Sequence, residues 1–210
     1  MTPPRFLALA CALLVGCAAS AETVVLVGDS ISAGAGASSP RRAYAFQLEQ
    51  ALSRRHRVVN YSRGGWTVEG NAAVFNPASF PGAAALWPDV VVIALGTNDY
   101  GVGVPLDEFS AGYASALDSL ASIPTVVCVT PYRRSDLSET TLNAAGLLPS
   151  AYRGAVRAAC EAAGRIVLDG FEAMPSESLL ADGLHPNDAG HARIAKWLEK
   201  ALRPILDAER

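Results

Sequence analysis

This chain is poor in charge. Asp, Glu, Lys and Arg make up only 18% of its 210 residues, and 20 acidic side chains against 17 basic ones leave a formal net charge of −3. A nucleic-acid surface needs Lys and Arg in clustered excess, so no nucleic-acid partner is expected. Long apolar runs are missing from the body of the chain, so no transmembrane span is expected after residue 21. Cys-x-x-Cys pairs and histidines at metal-ligand spacing are absent, so no metal is expected. No Gly-x-Gly-x-x-Gly or phosphate loop follows the first apolar run, which argues against a nucleotide binder. No cofactor is implied. There is no internal repeat and no linker, and a monomer is expected. What remains is a chain that is 50% hydrophobic and of a length that suits one folded domain.

The amino terminus is unlike the rest. Arg5 precedes an apolar stretch over residues 6–16, followed by the small residues Cys17-Ala18-Ala19-Ser20-Ala21. This is the outline of a secretory signal peptide over residues 1–21, with Ala19-Ser20-Ala21 as the cleavage site and a folded domain over residues 22–210. The protein is then expected in the periplasm or outside the cell. A rival processing site exists in Leu14-Val15-Gly16-Cys17, which is similar to a bacterial lipobox and would make Cys17 a lipid anchor. Export places Cys128 and Cys160 in an oxidising compartment, where they can pair. Cys128 falls within an expected strand and Cys160 on an expected helix, and the expectation is two buried free thiols.

Continuous apolar runs mark the strands. Val24-Val25-Leu26-Val27 and Val90-Val91-Val92-Ile93-Ala94-Leu95 show no alternation, which indicates burial on both faces and therefore a parallel sheet between helices. Residues 57–61, 124–130 and 165–169 are the other strands. Helices are expected over 44–55, 105–122 and 150–163, and from Asn187 or Asp188 to the carboxyl terminus. A broken helix is expected over 71–86, punctuated by Asn76-Pro77 and Phe80-Pro81-Gly82, and a loop or lid over 132–148. Strands alternating with helices give a three-layer α/β/α fold. Five parallel strands suit the flavodoxin-like order 2-1-3-4-5.

Ligands of such sheets bind beyond the carboxyl ends of the strands, and that is where the polar motifs lie. The first strand runs into Gly28-Asp29-Ser30, the second leads to Gly64-Gly65, and the third ends in Gly96-Thr97-Asn98-Asp99. Asp182-Gly183-Leu184-His185-Pro186 precedes the last helix. Taken alone, Gly-Asp-Ser is ordinary turn chemistry. Together the motifs are complementary. A serine is a weak nucleophile until a base takes its proton. His185 is of the type that can be that base, because imidazole titrates near neutrality. Asp182, three residues earlier, is placed to hold the other ring nitrogen. The backbone N–H groups of Ser30 and Gly65 and the side-chain amide of Asn98 are candidate donors to a developing oxyanion.

These four blocks resemble the SGNH (GDSL) hydrolase superfamily. Val-Gly-Asp-Ser-Ile-Ser-Ala-Gly carries Ser30, Val-Asn-Tyr-Ser-Arg-Gly-Gly-Trp-Thr carries Gly65, Leu-Gly-Thr-Asn-Asp carries Asn98, and Asp-Gly-Leu-His-Pro carries Asp182 and His185. The resemblance spans nearly the whole mature chain, in order. It implies Ser30, His185 and Asp182 as the catalytic residues, with Ser30, Gly65 and Asn98 as the oxyanion hole. The doublet Gly64-Gly65 departs from the pattern, and Gly65 is chosen from its distance to Asn60. The opening of the chain is similar to bacterial periplasmic thioesterase and lysophospholipase members. The Gly-Thr-Asn-Asp form is similar to carbohydrate deacetylase branches. The implied substrate is a small-molecule, glycan or lipid acyl ester, or a thioester. A non-catalytic carbohydrate- or lipid-binding module on the same fold is the alternative from another class.

Other residues are read more plainly. Trp66, Tyr100 and Leu184 flank the site as candidate substrate-pocket residues, though Trp66 and Tyr100 serve equally well as cover for the sheet edge. Asp29 and Asp99 are expected to fix turns by accepting hydrogen bonds. His56 and His191 are expected to be solvated, and Tyr132-Arg133-Arg134 to form an exposed basic loop.

Overall fold

The computed structural model describes residues 21–68 and 79–208. The expected signal peptide, with Cys17, and the part of the expected broken helix at 71–78 lie outside the described residues. The elements run β1 (Thr23–Gly28), α1 (Ser30–Ala33), a 3-10 turn (Pro40–Arg42), α2 (Tyr44–Leu52), β2 (Arg57–Asn60), α3 (Ser79–Ala84) and β3 (Val90–Ala94). They continue α4 (Thr97–Val102), α5 (Leu106–Ser119), β4 (Thr125–Val129), α6 (Pro149–Ala162), β5 (Ile166–Leu168), α7 (Gly170–Ala173), a second 3-10 turn (Glu177–Leu179) and α8 (Asp188–Ala208).

The five strands form one parallel sheet in the order β2-β1-β3-β4-β5, the order expected. Alternate residues of the central strands feed two cores. Val25, Val27, Val91, Ile93, Val126 and Cys128 face Phe109 and Tyr113 of α5 and Tyr152 and Val156 of α6. Val24, Leu26, Val90, Val92, Val127 and Val129 face Leu48 and Leu52 of α2 and Ile194, Leu198 and Leu202 of α8. Both faces of β1 and β3 are therefore dry, which is why their runs lack alternation. No described helix is long and apolar enough to cross a membrane.

Three features differ from expectation. Cys128 and Cys160 are joined by a disulfide rather than lying as two free thiols, with their Cα atoms 6.5 Å apart. The sequence separates a strand from a helix, but α6 leads directly into β5, and β5 pairs with β4 at Cys128–Val167. The end of α6 is thereby drawn across the strand that carries Cys128. The second feature is the histidines, neither of which is solvated. His56 is buried, with Nδ1 3.1 Å from the Glu22 carboxylate. His191 is fully buried at the start of α8; its Nδ1 accepts the Tyr44 N–H at 3.3 Å, which leaves Nε2–H to donate to the Ala35 carbonyl at 2.9 Å. Burial holds its pKa below the ordinary imidazole range. The third is a set of short helices, α1, α4 and α7, that begin at once where strands end. Asp29 and Asp169 start two of them by accepting the N–H of the second residue on, Ile31 and Phe171. Asn187 caps α8 through Gly190 N–H, while Asp188 instead binds Ser38 N–H and Oγ–H.

Candidate active site

Ser30 opens α1 immediately past the carboxyl end of β1. The turn that delivers it has no room to spare. A Cβ on Gly28 would stand 2.1 Å from Ser32 Oγ and 3.2 Å from the Ala94 carbonyl of the neighbouring strand. Asp29 is buried beneath the turn, and its Oδ1 accepts the Ile31 N–H at 2.9 Å. Burial pushes its carboxyl up to about 6, against the opposing pull of that hydrogen bond and of nearby His185. Asp99 does similar work one strand away, accepting the Val68 N–H at 2.9 Å.

Asp182 and His185 arrive on the loop before α8. Asp182 Oδ1 accepts the backbone N–H groups of Leu184 at 3.0 Å and His185 at 2.7 Å, which curls the loop around the carboxylate. Its Oδ2 lies 2.7 Å from His185 Nδ1, and His185 Nε2 lies 3.0 Å from Ser30 Oγ. Residues separated by 155 positions are thus in a continuous hydrogen-bonded line. The His185 hydrogen bonds draw the Asp182 carboxyl down to about 2, so it stays ionised and accepts Nδ1–H, leaving Nε2 to accept the serine proton. Gly36, six residues past Ser30, gives this loop its seat. A Cβ on Gly36 would come 2.3 Å from the Pro186 carbonyl and 2.9 Å from His185 Cβ.

Of the glycine doublet, Gly64 lies against Ser30. A Cβ on Gly64 would be 3.7 Å from Ser30 Cβ. Gly65 has φ 81° in a turn closed by Trp66 N–H to the Arg63 carbonyl. Asn98, on α4 past the end of β3, donates one amide hydrogen to the Trp66 carbonyl at 2.9 Å. The loops after β2 and β3 are joined at this bond, and the amide retains its second hydrogen. The fold therefore brings Ser30, Gly65, Asn98, Asp182 and His185 to one edge of the sheet.

The flanking residues are placed differently from one another. Trp66 and Tyr100 are both buried in the core that includes Phe109 and Tyr152. Leu184 is half-buried. Tyr132 and Arg134 are buried too, which corrects the expectation of an exposed basic loop. Arg134 passes over the Tyr100 ring at 5.2 Å and is hydrogen-bonded along its whole fork. The doubled arginine after β4 is a signal that sequence inspection registers, but its partners are not adjacent in the chain. Among the described residues, no cluster of three or more His, Cys, Asp or Glu side chains is arranged to hold a metal ion.

A model of the GDSL-like lipase/acylhydrolase family matches residues 26–193. The chain belongs to that family. Membership makes it a carboxylic ester hydrolase, on the α/β/α fold of SGNH hydrolases. No curated protein matches it. Solved structures do. A protein from Lactobacillus plantarum superposes with a TM-score of 0.72 at 23% identity, covering 87% of this chain and 97% of that one. A catalytic mutant of Axe2, an acetylxylan esterase from Geobacillus stearothermophilus, gives 0.69 at 20% identity, covering 88% and 95%. LAE5, an α/β hydrolase from the metagenome of Lake Arreo in Spain, gives 0.63 at 23% identity, covering 87% and 95%. At these identities the likeness is one of fold.

Proposed function

We propose that this family member is an exported serine esterase in which Ser30 is the nucleophile, His185 the general base and Asp182 the carboxylate that orients the imidazole. The observation that carries the reading is the unbroken line from Ser30 Oγ through the His185 ring to Asp182 Oδ2, at 3.0 and 2.7 Å. Ser30 Oγ attacks the ester carbonyl carbon and passes its proton to His185 Nε2. Charge developing on the carbonyl oxygen is met by the N–H groups of Ser30 and Gly65 and by the second amide hydrogen of Asn98. Collapse expels the alcohol, which takes the proton from His185. Water, deprotonated by the same imidazole, then releases the acid and restores Ser30. Export is supported by the leader-like pattern over residues 1–21 and by the Cys128–Cys160 disulfide, a bond that persists in oxidising compartments.

A second reading, carbohydrate O-deacetylation, is favoured by the fold likeness to Axe2, described as an acetylxylan esterase. One experiment tests the function and separates the two readings. Purified mature protein is assayed on p-nitrophenyl esters from acetate to palmitate beside Ser30→Ala. The expected outcome is turnover by the wild type and a loss of about 10⁴-fold or more in the variant. A maximum at acetate supports deacetylation, and a maximum at longer chains supports lipase or thioesterase activity. Retained turnover in a folded Ser30→Ala protein removes Ser30 from the mechanism. No turnover on any ester by folded wild type moves the assignment to the binding-module alternative.

A further inference from the structure

Asn98 and His185 act on opposite sides of the reacting carbonyl in the mechanism above, yet they sit on segments that share no chain connection. Asn98 belongs to α4 at the end of β3. His185 sits on a half-exposed loop that neither pairs with the sheet nor enters a core cluster. One short turn touches both segments. Arg134, only 7% exposed, donates Nη1–H to the carbonyl of Thr97, the residue before Asn98, at 3.2 Å. Its Nε and Nη2 grip both oxygens of Asp136, at 2.8 and 2.6 Å. The backbone N–H groups of Ser135 and Asp136 then both donate to the carbonyl of Gly183, at 2.6 and 3.0 Å. Gly183 lies between Asp182 and His185. A Cβ on Gly183 would stand 2.9 Å from Asp136 N, so the two segments meet backbone to backbone.

We propose that the Arg134–Asp136 pair is a positioning clamp that sets the distance between the Asn98 donor and the Asp182–His185 loop. The proposal rests on the serine-esterase reading. An ion pair with one partner buried, Arg134, and the other, the Asp136 side chain, 31% exposed is a poor source of net stability, because desolvation and solvent screening offset most of its attraction. It is instead a planar, bidentate fork with its third nitrogen on a main-chain carbonyl, which is a device for geometry. Its two outputs, the Thr97 and Gly183 carbonyls, each adjoin a residue of the site. The hydrogen bonds of the pair go to Thr97 and to each other, and those of the turn to Gly183, so the clamp acts through the backbone. A displacement of about 1 Å at a reacting group costs about 10²-fold in rate.

The test uses two conservative variants of the full protein. Arg134→Lys keeps the charge and loses the fork. Asp136→Asn keeps the shape and the backbone N–H groups and loses the carboxylate. Each is assayed for steady-state ester hydrolysis, for the rate of Ser30 labelling by a fluorophosphonate, and for Tm. The expected result is a fall in kcat and in labelling rate of about 10- to 100-fold, with KM within about twofold and Tm within a few degrees. The double variant should be no worse than the poorer single one, because the pair acts as a unit. Wild-type kcat and labelling rate in folded variants overturn the clamp, as does a loss of activity that only follows a fall in Tm. Wild-type protein that is not labelled at Ser30 overturns the esterase reading itself, and the clamp with it.

Discussion

Half of the site is held by the sheet and half by hydrogen bonds. Ser30 and Asn98 follow β1 and β3, whose central residues are at most 1% exposed. Asp182 and His185 ride a loop whose aspartate side chain is 56% exposed, tied down by the Gly183 carbonyl, the Asp182 carboxylate and a bridge between Leu180 and Pro186. The two halves treat charge in opposite ways. Asp29, sealed under Ser30, has its carboxyl pushed up to about 6 by burial. Asp182, in contact with solvent and hydrogen-bonded to His185, has its carboxyl drawn down to about 2. An acid beside the same histidine thus gains or loses acidity according to water access and hydrogen bonding, not proximity alone. The strand half supplies fixed positions, and the loop half supplies a carboxylate that stays charged.

The comparison breaks most visibly at Asn98. Asn98→Ala removes one proposed oxyanion donor and also the tie to the Trp66 carbonyl, so kcat should fall by about 10²- to 10³-fold. Steady-state kinetics on the preferred ester would check this, and an unchanged kcat would strike Asn98 from the hole. Next comes a matched pair of glycine changes. Gly28→Ala drives a Cβ into Ser32 between buried strands and should cost about 3 kcal/mol, lowering Tm by roughly 6–12 °C. Gly183→Ala places a side chain at φ 85° on the loop and 2.9 Å from Asp136 N, so strain of about 1–2 kcal/mol pushes the loop away from the 134–136 turn. It should lower kcat by about tenfold, with a loss in Tm of roughly 2–4 °C per kcal/mol of that strain, smaller than for Gly28→Ala. Equal Tm losses in the two variants would erase the distinction between the halves.

The smallest effect sharpens the electrostatic contrast. Asp29 binds its proton more tightly in the folded protein, up to about 6, than at its ordinary value of 3.8. Its contribution to stability is therefore full below pH 4 and is lost as the pH rises through 6. Asp29→Asn, which can still accept the Ile31 N–H, should stabilise the protein on the order of 1–3 kcal/mol at pH 8 and leave it nearly unchanged at pH 4. Thermal melts of both proteins at the two pH values give the answer. A gain at pH 4 that equals the gain at pH 8 would mean that Asp29 is not charged at a cost. His191 has the opposite sign. Its lowered pKa removes stability as the pH falls below the ordinary imidazole range, because the unfolded chain takes up a proton that the buried ring refuses.

What is written locally was legible without coordinates. Val24–Val27 and Val90–Leu95 announce strands dry on both faces, and the alternation with helices dictates a parallel sheet whose order follows. Ser30, Asn98 and the Asp182–His185 loop stand in short motifs, each marked by its own neighbours. The residues whose surroundings the sequence does not show depend on partners far along the chain. Cys160 meets Cys128 only because α6 crosses β4 on its way to β5. His191 is buried only because the turn after Ser30 carries the Ala35 carbonyl to it. Arg134 is an exposed cation in the sequence and a buried clamp in the fold, since Thr97 and Asp136 together engage all three of its nitrogens. The sequence by itself determined the sheet, its order and the residue types of the site, because apolar runs and turn chemistry act between near neighbours. Only the tertiary structure decided which polar groups are sealed from water and which carbonyls hold the loop against the strand ends, because those depend on segments that meet after folding.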